Sequence, residues 1–147
     1  MSHSYAQNIV HVVFSTKGRA KCIVPSAQGQ LWAYITGICK NEGIFVHAIG
    51  GTTDHIHCLL QLPPTHSLAQ SIGAIKANSS RWLRNTAREF AWQEGYAAFS
   101  VSASLVLAVR RYIQNQEAHH RKMSFDDEFR VLLRKHGVDF DPKFVLG

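Results

Sequence analysis

The stretch Asp54-His55-Ile56-His57-Cys58-Leu59-Leu60 places two imidazoles two residues apart in an otherwise apolar run. On a strand, successive side chains point to opposite faces, so His55, His57, Leu59 and Gln61 share one face and Ile56, Cys58, Leu60 and Leu62 the other. Two neighbouring ring nitrogens can share one divalent cation when a third ligand arrives from elsewhere. The same spacing suits two polar residues on an exposed sheet face, and so short a motif does not choose between them. A second constellation lies in Arg110-Arg111-Tyr112-Ile113-Gln114-Asn115-Gln116. Tyr112 and Gln116 are four apart, one turn above each other on a single helix face. Gln116 offers a carbonyl oxygen. A tyrosine hydroxyl beside a cation can attack phosphorus, because the ion neutralises the phosphate or lowers the phenol pKa from about 10. Packing of Tyr112 beside Val109 and Ile113 is the competing reading.

These residues need elements to hold them. Residues 5–16 read as a central strand, with Ile9, His11 and Val13 alternating with Val10, Val12 and Phe14. Pro25 to Glu42 carries Leu31, Ile35, Ile38 and Cys39 at helical spacing, with Pro25 in the first turn and Gly43 just past the end. A strand over 44–49 turns through Gly50-Gly51-Thr52-Thr53 into the histidine strand, 55–62, which Pro63-Pro64 stops. Ser67 caps a helix running to about Phe90, with Trp82 in its apolar period, and a short strand follows over 95–101. The order βαββαβ predicts an α+β, ferredoxin-like antiparallel sheet in which the first and third strands are central. One further helix, opened by Ser102 or Ser104 and reaching Lys122, carries Tyr112. Ser124-Phe125-Asp126-Asp127 resembles a capping box for a last helix ending at His136-Gly137. The tail 138–147 has no periodicity and is expected to lie over a surface or a partner.

The chain has 147 residues, which fits one domain over 1–147: a core of about 5–122, then a helix and tail over 124–147. With 46% hydrophobic and 18% charged residues it can build a core and is not a disordered chain. Neither a basic leader nor an apolar run of the ~18 residues that cross a bilayer is present, so a soluble, cytoplasmic protein is expected. Three cysteines without metal-type spacing argue against a disulfide framework. The formal charge of +6 draws the chain toward polyanions, nucleic acid above all.

Taken together, Asp54-His55-Ile56-His57, the strand from Asn8 to Arg19, Ser79-Ser80-Arg81-Trp82, the stretch Trp92 to Tyr96 and Tyr112-Ile113-x-Asn115-Gln116-Glu117 resemble the single-tyrosine transposases of the 200/605 class of insertion sequences, their REP-associated relatives included. The likeness runs from about Ile9 to His120. It implies His55, His57 and Gln116 as metal ligands and Tyr112 as the catalytic tyrosine. It also implies a homodimer, in which the tyrosine helix of one subunit can complete the other's site. The expected reaction cuts and rejoins single-stranded DNA with hairpin ends, through a 5′-phosphotyrosine bond that conserves the phosphodiester energy.

Two imidazoles suit Mn²⁺ better than Mg²⁺, whereas abundance and the resemblance favour Mg²⁺. Lys17, Lys76, Arg81, Arg84, Arg110 and Arg111 are the expected DNA contacts, against the ordinary reading of helix cations as solvated. Trp82 is expected in the core. The run His119-His120-Arg121-Lys122 reads most simply as a cationic helix end favoured by the dipole. A histidine-triad nucleotide hydrolase would need a third alternating histidine where Leu59 stands. A domesticated relative that binds hairpin or repeat DNA for regulation is the other alternative.

Overall fold

The computed structural model describes residues 3–143. Four strands, β1 (Asn8–Ser15), β2 (Phe45–Gly51), β3 (His55–Leu62) and β4 (Ala97–Ser100), form one antiparallel sheet in the order β2-β3-β1-β4. The two near-continuous apolar strands, β1 and β3, are therefore central, as strands buried on both faces must be. Their register sets Val13 opposite His57 and Ser15 opposite His55.

One face carries Val10, Val12 and Phe14 from β1 and Ile56, Cys58, Leu60 and Leu62 from β3. Helices α1 (Pro25–Asn41) and α2 (Leu68–Leu83) bury Leu31, Ile35, Ile38, Ile72 and Ile75 against it. Each fully buried aliphatic side chain contributes about 1.5–3 kcal/mol. Ser67 caps α2 by accepting from the Gln70 N–H. The helix ends at Leu83, seven residues short of the expected Phe90. Phe90 and Trp92 turn back into the core instead, with the Trp92 indole on the edge of Phe14 and its N–H donating to Ser79 Oγ at 2.9 Å. Trp82 is only partly buried and stacks on Tyr34.

The opposite face is covered as well, which overturns the reading of His55 and His57 as exposed polar residues. Helix α3 (Val106–Gln114) lays Ile113 on Ile9, Ala48 and Leu59. Helix α5 (Phe125–Lys135) packs Phe125, Phe129, Leu132 and Leu133 on Val13, Ala97 and Phe99. Its N-cap, Ser124, accepts from the Asp127 N–H. Expected as one helix from Ser102 or Ser104 to Lys122, the tyrosine segment has a 3-10 turn at 103–105, then α3, a kink at Asn115 (φ −102°, ψ 21°) and the short α4 (Gln116–His119). Asparagine competes with helical backbone through local hydrogen bonding, which suits it to that kink. The tail to residue 143 lies on α5, with Arg130 donating to Pro142 O and Phe140 against the α5 core; residues 144–147 fall outside the described residues.

Close approach of α3 depends on Gly50, which pairs with His57 in β2. A β-carbon there would lie 2.5 Å from Ile113 O, inside any normal contact. Gly50→Ala is expected to cost about 1–3 kcal/mol as overpacking, several degrees in the midpoint of thermal unfolding. Gly73→Ala, in open space on α2, should instead stabilise by about 0.5–1 kcal/mol. A Gly50→Ala protein as stable as wild type would show that α3 does not rest on β2.

Candidate active site and metal centre

Between α3 and α5 the sheet face is polar. His11, His55 and His57 rise from β1 and β3, with His55 and His57 at 0% exposure. Burial of three imidazoles without partners would be prohibitive, so each is tied down. His55 Nδ1–H donates to Asp54 Oδ1 at 2.8 Å, and Thr52 Oγ1 lies 3.1 Å from both. That arrangement orients the ring and points Nε2 inward. His57 Nδ1 meets His11 Nε2 at 2.8 Å. Burial, followed by the charge of His57, holds His11 down to about pKa 3. Burial also lowers His57, to about 4, against the pull of Glu128, so both rings are neutral at pH 7.

Glu128 projects from the first turn of α5 into this group and is 1% exposed. Its Oε1 lies 3.0 Å from His57 Nε2, 3.0 Å from His120 Nε2 and 3.7 Å from His55 Nε2. Its Oε2 accepts from the Tyr112 hydroxyl and from Gln116 Nε2. Burial alone would raise the Glu128 pKa, but the hydrogen bonds from His120, His57 and Tyr112 outweigh it and keep the group ionised. Tyr112 is pushed the other way, first by burial and then by the carboxylate that its hydroxyl faces. His120 loses to burial but gains more from Glu128, and its pKa rises.

The donor set suits a divalent cation. His55, His57, His120 and Glu128 each offer one atom, all within 4.8 Å of one another. Gln116 Oε1 stands 3.0 Å from His55 Nε2 and 2.9 Å from His120 Nε2. Because Gln116 Nε2 faces Glu128, its oxygen is turned toward His55 and His120 and offers one more oxygen donor to the group. Three imidazoles with a carboxylate and an amide oxygen fit Mn²⁺ and later divalent ions better than Mg²⁺.

Of the residues expected from sequence, His55, His57, Tyr112 and Gln116 come together within one chain. The structure adds Asp54, His11, His120 and Glu128 to this group. The pair His119-His120, read as a cationic helix end, instead points at Glu128, with His119 Nε2 3.2 Å from Oε2. The signal for Glu128 was an acid on the apolar stripe of α5, between Phe125 and Phe129. The six expected DNA contacts divide. Arg110 and Arg111 lie on α3, which covers the site face, Arg110 donating to His47 O, whereas Lys17, in the turn after β1, lies beside Ala87, Arg88 and Phe90 with its N–H on Ala91 O. Lys76, Arg81 and Arg84 belong to α2 and its C-terminus, on the far side of the sheet. The Lys76 ammonium donates to the carbonyls of Gln93 and Gly95, and Arg84 Nε to that of Phe90.

This combination of a four-stranded sheet, a buried pair of strand histidines and a facing tyrosine coincides with a family likeness. The chain belongs to the family described as "Transposase IS200 like", whose profile matches residues 4–116. The transposases for insertion sequence element IS200 of Salmonella typhimurium and Salmonella typhi are each 27% identical over 117 residues, covering 72% of this chain and 74% of theirs. Among solved structures, a putative transposase from Deinococcus radiodurans R1 superposes with TM-score 0.63 at 22% identity, over 79% of this chain and 96% of that one. A REP-associated tyrosine transposase bound to a REP hairpin gives TM-score 0.62 at 14% identity, over 82% and 73%. No helix among the described residues is long and apolar enough to cross a membrane.

If Asp54 orients His55 for a metal, Asp54→Asn should weaken Mn²⁺ binding about 10–100-fold, the usual effect of losing an outer-shell partner. Glu128→Gln, which keeps the shape and removes the charge, should weaken it at least as much. Isothermal titration with Mn²⁺ measures both, and wild-type affinity in either variant would remove that residue from the metal centre.

Proposed function

We propose that this transposase cleaves and rejoins single-stranded DNA by transesterification, with Tyr112 as the nucleophile. The observation that carries the reading is that the Tyr112 hydroxyl, the Glu128 carboxylate and the inward nitrogens of His55, His57 and His120 meet on one sheet face of one chain. A structural tyrosine needs no such company.

In this reading His55, His57 and Gln116 hold a divalent ion, Mg²⁺ or Mn²⁺, with His120 and Glu128 beside them. The ion would supply positive charge at the scissile phosphate. Tyr112 Oη forms a bond to phosphorus while the bond from phosphorus to the 3′ oxygen breaks, and that oxygen takes up a proton and leaves as a 3′-hydroxyl. The phenolic proton already lies on the hydrogen bond to Glu128 Oε2, which makes that carboxylate its acceptor. Asp54 and His11 orient the two strand histidines. The 5′-phosphotyrosine then accepts attack by another strand's 3′-hydroxyl, with no external energy source.

Hairpin recognition is part of the same reading, supported by the REP hairpin named for a structural neighbour. Arg110 and Arg111 would hold the backbone near the chemistry, and Lys17, Lys76, Arg81 and Arg84 a duplex passing the α2 side. Homodimer formation follows from the resemblance. It leaves the chemistry unaffected if Tyr112 acts on its own chain's histidines, the arrangement that the single-chain geometry supports.

The test is incubation with labelled single-stranded hairpin oligonucleotides from the flanks of the gene, with Mn²⁺ or Mg²⁺, followed by denaturing electrophoresis. A metal-dependent covalent protein–DNA band is expected for wild type, with a loss of at least 10³-fold in Tyr112→Phe, as for removal of a nucleophile. Hairpin binding without attachment would instead support the regulatory relative.

A further inference from the structure

The donors around Glu128 Oε1 form a group distinct from the set His55, His57 and Gln116. His57 Nε2 and His120 Nε2 each lie 3.0 Å from that oxygen, and His55 Nε2 lies 3.7 Å from it. With one donor atom taken from each residue, all four are within 4.8 Å of one another. Zinc bonds of about 2.0–2.1 Å in a tetrahedron put neighbouring ligand atoms roughly 3.3–3.4 Å apart. The three carboxylate contacts fall on either side of that spacing, so little side-chain movement is needed to close a tetrahedron.

The far sides of the rings supply an independent observation. A histidine that binds a metal through one nitrogen almost always has its other nitrogen held by a polar partner. His55 Nδ1 is held by Asp54 Oδ1 and His57 Nδ1 by His11 Nε2. His120 Nδ1 is 2.7 Å from Met123 O. A carbonyl only accepts, so His120 Nδ1 carries a hydrogen and Nε2 is the nitrogen left for a metal. All three rings thus turn Nε2 toward one carboxylate oxygen. His120 and Glu128 lie beyond the residues matched by the family profile, 4–116.

We propose that His55, His57, His120 and Glu128 form a closed four-ligand Zn²⁺ site that switches the transposase off. A tetrahedral ion with four protein ligands has no position left for a phosphate oxygen, as in structural zinc sites. Mg²⁺ and Mn²⁺ favour six ligands, so they can take Gln116 Oε1 as well and still hold a phosphate. Zinc stands above manganese in affinity for nitrogen-rich donors and therefore displaces it. Bound through Oε1, Glu128 keeps Oε2 on the Tyr112 hydroxyl but has less negative charge with which to take its proton. The block on cleavage rests on the proposed phosphotyrosine chemistry, whereas the zinc site itself does not.

The test loads the full chain, stripped of metal by a chelator, with Co²⁺, which takes the place of Zn²⁺ and reports its coordination by visible absorption. Wild type should give the intense bands of a four-coordinate ion, and an equivalent of Zn²⁺ should bleach them. His120→Ala should lose those bands and, in competition with a chromophoric chelator, bind Zn²⁺ about 100-fold or more weakly, as for a ligand rather than an outer-shell partner. Gln116→Ala should keep both the bands and the zinc affinity, although it weakens Mn²⁺ binding. Attachment to labelled hairpin oligonucleotides in Mn²⁺ is then measured with Zn²⁺ added at the same concentration. Zinc should lower it about tenfold or more in wild type, and less in His120→Ala. Weak six-coordinate bands in wild type, or a zinc affinity unchanged in His120→Ala, overturns the four-ligand site. Four-coordinate bands with attachment undiminished by Zn²⁺ overturns the block. No attachment by wild type in Mn²⁺ alone overturns the phosphotyrosine reading, while the cobalt spectrum still decides the zinc site.

Discussion

The hydrogen bonds that converge on Glu128 are the constraint from which the rest of this site follows. A carboxylate at 1% exposure is costly unless all its lone pairs are met. Here they are met by side chains from three separate elements: His57 from β3, Tyr112 from α3, Gln116 and His120 from α4 and the turn after it. A buried polar network of this kind is stable only when it is complete, since each missing partner leaves a desolvated charge. Docking of α5, the position of the tyrosine helix and the orientation of the strand histidines are therefore one interdependent arrangement. The apolar contacts of Phe125, Phe129, Leu132 and Leu133 hold α5 down, and the carboxylate decides where on the sheet it comes down.

Much of this was legible in the sequence because strand periodicity is two and cannot drift. Placing Ile56, Cys58 and Leu60 against helices forces His55 and His57 onto the opposite face, and the βαββαβ order forces β3 to the centre of the sheet. What periodicity does not report is what covers that second face. A continuous polar-apolar alternation looks the same whether solvent or another helix lies above it. The ligands that arrive from α5 are invisible for a related reason: Glu128 lies 71 positions from His57 in the chain, and no local spacing encodes that meeting. One local clue existed. On α5 an acid occupies a place in the apolar stripe where every neighbour on that face is buried, and a buried acid implies a partner. The end of α2 is not legible in the sequence, because its amphipathic pattern continues past Leu83 while tertiary packing of Phe90 and Trp92 overrides it.

The division of the site along the chain is informative. The family profile spans residues 4–116, which includes His11, Asp54, His55, His57, Tyr112 and Gln116. His120 and Glu128 fall beyond it. In the proposed metal site, two histidines and an amide alone would be a neutral donor set, and a neutral donor set binds a hard divalent cation weakly. The carboxylate supplied by α5 adds the missing charge within this same chain. It also adds a restraint, because its second oxygen, Oε2, faces the Tyr112 hydroxyl, Gln116 Nε2 and His119 Nε2.

That shared carboxylate couples two requirements that otherwise conflict. In the proposed reaction the tyrosine must be held close to the phosphate it attacks, yet a phenol buried beside an anion is disfavoured from ionising. Positive charge next to the same carboxylate shifts the balance, since it draws electron density from Glu128 and stabilises a phenolate within the group. Gly50 sets how near α3 can approach, and the kink at Asn115 sets the turn on which Gln116 and His120 reach back. Tyr112 is thereby positioned by backbone geometry, and in the proposed reaction its reactivity is left to the charge that the histidines and Glu128 gather around it.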